Sequence, residues 1–203
     1  LSLRRQRQMC IRDRADEQLG RVLDALDNGP HAENTIVVLF SDHGYHLGEK
    51  QRWSKFSLWE RTTHVPLIMS VPDGIKGRTD KPVELLSIYP TLIDLCRLQV
   101  NPKLEGVSLK PLLKDPHSVW EHVAVSTLGH NNHAVRDERW RYIRYADGSE
   151  ELYDHQTDPN EWSNLAVQSS TPEHDRVIAR LKKYLPGTNR PQRGAQSKKE
   201  NPL

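Results

Sequence analysis

The apolar positions of this chain change period along its length, and each change marks an element. From Ala15 they recur at helical spacing (Leu19, Val22, Leu23, Leu26) until Asn28-Gly29-Pro30 stops them, which predicts an amphipathic helix over about 15–27. Thr35 to Phe40 is instead an unbroken run of β-branched and large apolar residues, as in a strand buried on both faces of a parallel sheet. Val65 to Val71 repeats that pattern and ends in the turn Pro72-Asp73-Gly74. A second helix carries Ile88, Tyr89, Leu92, Ile93, Leu95 and Cys96, with Ser87 placed to cap it and Pro90 tolerated in its first turn. A short helical turn through Leu113 follows, with Ser108 as its expected cap, and Asp115-Pro116 closes the unit.

Near residue 120 the period becomes two. Val123 to Thr127, Ala134 to Arg136, Trp140 and Tyr142 alternating with Arg141 and Arg144, and Glu151 to Tyr153 read as antiparallel strands, with Asp147-Gly148 as a hairpin signal. A last helix is expected over about 172–185, capped by Thr171 and carrying Val177, Ile178, Leu181 and Leu185 on one side. The expected fold class is therefore α/β: a partial mixed or parallel sheet flanked by helices, followed by a small antiparallel sheet with a helix.

Composition alters this picture at the two ends. Residues 1–14 carry Arg4, Arg5, Arg7, Arg12 and Arg14 with no sustained period, and read as a disordered or foreign leader. From Pro186 the chain is rich in Pro, Gly, Gln, Lys and Arg and reads as a disordered tail. The expected layout is 1–14 leader, 15–118 α/β part, 119–185 antiparallel subdomain and 186–203 tail. In between, 203 residues suffice for a real core, and a net charge of +2 spread over balanced acids and bases implies no nucleic-acid face. Cys10 and Cys96 form no disulfide framework, and no run of about twenty apolar residues predicts a membrane span.

The candidate chemistry lies just past the first strand. Ser41, Asp42, His43 and Gly44 fall beyond a strand's carboxyl end, where ligands gather in open α/β sheets. An acid and a histidine there fit a metal site, a proton-transfer pair, or a turn capped by its own acid. The loop that follows places His46, Glu49, Lys50, Arg52, Trp53 and Lys55 together, the polar and cationic surroundings an anion site needs.

The stretch SDHGYHLGEKQRWSKFSLWERTTHVP resembles the second metal-binding segment of the type I sulfatases of the alkaline phosphatase superfamily, closest to the iduronate 2-sulfatase-like branch. The resemblance runs from about Ala15 to Ala166. It includes LGRVLDAL, NTIVVLFSDHG, Lys55 thirteen residues after Asp42, Glu60 with Pro66 behind it, IYPTLIDLCRL, LEGVSLKPLL and ELYDHQTDPNEWSNLA with its Asp158, Pro159, Glu161 and Asn164. It implies that Asp42 ligates a divalent cation, usually calcium, with His43 beside it, and that Lys55 holds a sulfate oxygen. Calcium prefers carboxylate oxygen and is an uncommon partner for imidazole, so His43 is left between ligation and contact with the sulfate.

The same loop offers Tyr45, His46, Arg52 and Trp53 as substrate-binding walls, an aromatic face for a sugar ring and a cation for a carboxylate or second sulfate. His130 and His133 are candidates for a second wall. Glu60 reads as a loop-bracing acid and His64 as a partly buried, satisfied histidine. The family's formylglycine nucleophile arises in a C/S-x-P-x-R motif and its cation also meets an Asp-Asp pair; neither pattern occurs in these 203 residues. The resemblance thus implies the C-terminal portion of a secreted or periplasmic sulfatase acting on a sulfated sugar or polysaccharide, inactive without an N-terminal part. A phosphodiesterase or phosphonate hydrolase of the same superfamily, and a non-catalytic carbohydrate-binding module, are the alternatives.

Overall fold

A computed structural model describes residues 3–72, 74–168 and 171–189 of the chain. Its elements are α1 (Leu3–Asp27), β1 (Val37–Phe40), α2 (Glu60–Thr63), β2 (Leu67–Ser70), α3 (Ile88–Leu95), α4 (Lys110–Lys114), β3 (Ala124–Thr127), β4 (His133–Arg136), β5 (Trp140–Arg144), β6 (Glu150–Asp154), α5 (Leu165–Gln168) and α6 (Pro172–Leu181). The chain divides into two compact units, 1–39 with 68–74, and 40–67 with 75–203. The second unit thus joins the loop after β1 to the antiparallel sheet.

In the first unit α1 begins at Leu3, so it takes in most of the arginine-rich leader that was expected to lack structure. Arg, Gln and Met are good helix formers, and no Gly or Pro interrupts them. The apolar stripe from Ala15 is on this helix, with Leu19, Val22 and Leu23 exposed. β1 and β2 pair as a two-stranded sheet. Burial on both faces is not what the strands show: Val37 and Val38 are half-buried, whereas Leu39 and Phe40 are 38% and 51% exposed. A two-stranded ribbon leaves its faces and outer edges open, and a run of apolar residues cannot by itself tell how many layers cover it.

The second unit holds the core. β3, β4, β5 and β6 form an antiparallel meander in sequence order, with Val125 opposite Val135, Val135 opposite Tyr142 and Tyr142 opposite Leu152. Alternation sends Val135, Trp140, Tyr142 and Leu152 to one face, where Val177 and Leu181 of α6 cover them. The other face gives Ala134, Ile143 and Tyr153, packed with Leu58 from the loop after β1. Gly148 takes a φ of +87° in the hairpin between β5 and β6, as the Asp-Gly signal requires. Thr171 caps α6, accepting from His174 N. Ser87 is not a side-chain cap, because its Oγ accepts from Val107 N instead. Ser108 Oγ accepts from Lys110 N, the first residue of α4, at 3.3 Å and donates to Asp94 at 2.8 Å, so one hydroxyl serves the helix end and a tertiary partner together.

Asn164 explains part of the motif that follows β6. Its Oδ1 accepts from Leu152 N at 3.0 Å and its Nδ2 donates to Glu150 O at 3.1 Å, which replaces a strand partner along β6. Of the expected tail, residues 190–203 lie outside the described residues, as do Leu1, Ser2 and Asp73 of the expected turn. No helix among the described residues is long and apolar enough to cross a membrane.

Candidate functional site

The turn after β1 is built by close approach of two backbone segments. Ser41 N donates to Pro66 O at 3.3 Å, and Gly44 N donates to Thr62 O at 3.0 Å. A Cβ on residue 44 would stand 2.0 Å from the carbonyl oxygen of Arg61, so only glycine fits. Gly44→Ala is expected to push α2 away and to lower the free energy of unfolding by about 1–3 kcal/mol; a denaturant midpoint equal to that of the parent chain would refute this close approach.

This turn leaves Asp42 on the surface, its side chain 82% exposed, with Oδ1 accepting from His43 N at 3.0 Å. The His43 ring is fixed at both nitrogens. Nδ1 lies 2.8 Å from Gly44 O, a carbonyl that can only accept, so Nδ1 carries the proton. In the neutral ring Nε2 is then a lone pair, and Lys55 Nζ donates to it at 2.8 Å. Asp42 Oδ2 stands 3.6 Å from the same Nε2. A carboxylate and the ammonium of Lys55, which lies 12 residues beyond His43, thus both meet the imidazole at Nε2.

The loop that carries Lys55 is held from inside by His46. Its side chain is only 1% exposed and its N–H donates to Ser54 O at 3.0 Å. Its Nε2 meets Ser57 Oγ at 2.9 Å, and Ser57 Oγ lies 2.5 Å from Thr62 Oγ1. Burial pushes the His46 pKa down, against the raising effect of Glu49. The expected role of His46 in a substrate wall is therefore corrected: the ring faces the loop interior, packed edge-on to Trp59 at 5.7 Å. His133 is corrected for the same reason, being fully buried on β4 with Nδ1 2.8 Å from Thr127 Oγ1. His130 sits exposed in the turn before β4, whose Asn132 bonds Leu128 O and His130 O. Tyr45 and Trp53 are exposed beside the Asp42 turn, with Tyr45 OH donating to Trp53 O. Arg52 is exposed too, but its guanidinium is used in the loop, bonding Phe56 O and lying over the Trp59 ring.

The residues that sequence reading did not bring together lie under α2. Glu161, 1% exposed, accepts from Glu60 N at 2.9 Å and from His155 at 2.9 Å, and forms an ion pair with Arg141, Nε to Oε1 2.6 Å. Arg141 also bonds Leu58 O and the Glu60 carboxylate, to which Arg136 lies 3.7 Å away. Glu60, His155 and Glu161 have donor atoms close enough to share a cation. The guanidinium of Arg141 already sits on both carboxylates, so the cation of this cluster is an arginine. Glu60 is thus the bracing acid of the loop, while His64 is corrected from partly buried to 77% side-chain exposure, tied by Nδ1 to Glu60 at 3.1 Å.

Burial alone would raise the Glu60 pKa, but the bonds from His64 and Arg141 hold it well below the carboxylate range. The bond to Glu60 raises the His64 pKa above 6.5 against burial and the charge of Arg136. The raised histidine contributes stability in full below 6.5 that is lost as pH rises through its folded pKa; the depressed acid contributes above 4.5 and loses it as pH falls. The difference in unfolding free energy between the parent and His64→Ala is expected to peak between those two pH values and vanish in alkali. Exposure keeps it below about 1 kcal/mol.

Residues 11–98 match the protein-family model described as Sulfatase. A sulfatase of Formosa agariphila is 48% identical over 175 residues, covering 86% of this chain and 34% of its own. A solved 2-O GAG sulfatase superposes with a TM-score of 0.72 at 31% identity, over 83% of this chain and 39% of its own. A phosphonate monoester hydrolase from Silicibacter pomeroyi gives 0.72 at 27%, over 83% and 37%. The chain spans about a third of the length of the curated relatives it matches. The matched residues cover the strand edge, the Asp42 turn and the Lys55 loop, so the likeness of this chain to sulfatases falls on the candidate site itself.

Proposed function

We propose that this chain supplies the cation-and-sulfate edge of an enzyme that hydrolyses sulfate esters on a sugar or polysaccharide. The observation that carries the reading is the convergence of Asp42, His43 Nε2 and Lys55 Nζ at the end of β1. The donor set fits a divalent cation. Asp42, its side chain 82% exposed, offers the carboxylate oxygen that a hard divalent cation takes, while the His43 Nε2 lone pair beside it already accepts from Lys55 Nζ. Asp42 would hold the cation, with His43 beside it and Lys55 directed at a sulfate oxygen. When bound, the cation draws negative charge from the sulfate. Lys55 keeps an ammonium where charge develops on the leaving oxygen, and Tyr45 and Trp53 offer exposed rings to the sugar.

Formylglycine does not fit the cysteines of this chain: Cys10 and Cys96 are both exposed and neither lies in a C-x-P-x-R motif. We assign the nucleophile and the Asp-Asp pair to an N-terminal part of the whole enzyme, secreted or periplasmic as in the iduronate 2-sulfatase-like branch. The test is a chimera in which residues 11–185 replace the matching third of the Formosa agariphila sulfatase. The chimera is expected to hydrolyse a chromogenic aryl sulfate, to lose this on chelation and regain it with Ca²⁺, while the 203-residue chain alone turns nothing over. A chimera indifferent to chelation would sink the reading. The similarity to a phosphonate monoester hydrolase favours a second reading, and a chimera faster on a phosphonate monoester than on the sulfate would select it. Glycan binding that survives both Asp42→Ala and Lys55→Ala would instead mark a non-catalytic module.

A further inference from the structure

Beside the Asp42 turn lies a cleft of about 300 Å³ walled by Tyr45, Glu60, Arg61, His64, Pro159 and Asn160. Of these only Tyr45 was expected to meet a substrate. The backbone fixes how near the cleft is: Gly44, the neighbour of His43, bonds Thr62 and packs directly on the Arg61 carbonyl. The cleft begins where the Asp42-His43-Gly44 turn ends.

Its chemistry is that of a site for an anion on a sugar. The one acid in the wall, Glu60, is neutralised from behind by Arg141 and Arg136. The Arg61 side chain is 58% exposed, and its pairing with Glu49, Nε to Oε1 3.5 Å, is of the half-exposed kind that contributes little and yields readily to another anion. His64 adds a second cation on the same short helix end, kept charged to higher pH by Glu60 and opposed by Arg136 and Arg141. Tyr45, anchored through its hydroxyl to Trp53 O, offers a ring face, and the Asn160 amide both donates and accepts.

We propose that this cleft is a subsite for a second anionic group of the sugar substrate, a carboxylate or a further sulfate, with Arg61 and His64 as its cationic contacts and Tyr45 as its platform. The inference rests on the reading that Asp42 and Lys55 face a sulfate ester, because it places this second group on the same molecule. A guanidinium matches either anion through paired N–H donors, so the geometry sets the charge of the ligand and not yet its acid.

The test is a ¹H–¹⁵N titration of the full chain, following the Arg61 Nε–H and the Asn160 side-chain amide, with methyl glucuronide, methyl glucoside 6-sulfate and uncharged methyl glucoside. Both charged probes are expected to shift these signals saturably, more weakly as pH rises through the His64 titration, and the uncharged probe to leave them unmoved. The tighter of the two identifies carboxylate or sulfate. Arg61→Gln and, separately, His64→Gln should weaken the charged probes about tenfold, read at Asn160. No shift, an equal response to methyl glucoside, or affinities unchanged in both variants overturns the subsite. The sulfate-ester reading fails on a different signal: Lys55→Ala that leaves the response of the His43 ring to the 6-sulfate intact refutes that reading without touching the cleft.

Discussion

Glu161→Gln is expected to lower the free energy of unfolding by about 3–5 kcal/mol, the cost of leaving a buried arginine short of its partner. The side chain is enclosed, and its two oxygens accept from the Glu60 backbone N–H and the His155 ring while pairing with the Arg141 charge. Glutamine keeps the shape but turns one acceptor into a donor, so at least one of those hydrogens faces another hydrogen, and the charge opposite Arg141 is halved. Glu60 remains as the second carboxylate on Arg141, which is why the loss should stop short of unfolding a domain whose stability is of order 5–15 kcal/mol. The measurement is a denaturant titration of the parent, Glu161→Gln, Arg141→Met and the double variant. The double variant should cost clearly less than the two single losses added together, because removing both partners leaves no orphaned charge. Additive losses, or a single loss below about 1 kcal/mol, would show that the network is incidental. Glu161 also holds a φ of +60°, a conformation uncommon for a residue with a side chain. Glycine there would relieve the backbone and still forfeit both hydrogen bonds and the ion pair, so Glu161→Gly should be destabilising as well.

Lys55→Ala in the chimera should cut kcat on an aryl sulfate by about 10²–10³-fold, the range for removing one donor aimed at charge that develops in the transition state. KM should move much less, since the contact strengthens as the ester breaks. Lys55→Arg is expected to recover only part of the loss: a planar fork cannot replace a compact ammonium whose position is set by a 2.8 Å bond to His43 Nε2. The thermal midpoint should stay unchanged, because the Lys55 side chain is exposed and braces no core residue. A variant with full kcat would remove Lys55 from the reaction and with it the principal support for a sulfate at this edge.

The two predictions meet at α2. Glu60 opens that helix on Glu161 and Arg141, and Thr62 closes it against Gly44 and Ser57. The antiparallel sheet therefore holds the segment that positions the Asp42 turn and the Lys55 loop. This gives a physical meaning to the Asp158, Glu161 and Asn164 series: Asp158 caps its own turn by accepting from Ser163 N, Asn164 completes β6 and Glu161 reaches α2.

By itself the sequence determined what local rules control. The Asp-Gly hairpin, the Thr171 cap, the alternation of β5 and the placement of Asp42 at a strand end all follow from backbone preference and side-chain period within a few residues. The spacing from Asp42 to Lys55 also carried the resemblance that named the candidate site. Burial was decided only by the tertiary structure. His46 and His133 look like surface ligands in sequence but turn inward because Ser57 and Thr127 offer them partners, while the apolar Leu39 and Phe40 remain exposed for want of a covering layer among the described residues. The pairing of Glu60 and Glu161 with Arg141, and the cleft that joins Arg61 to Asn160, bring together residues some eighty to a hundred positions apart. No periodic pattern records such a contact, because its free energy comes from desolvating opposite charges together, which happens only once the loop has packed on the sheet.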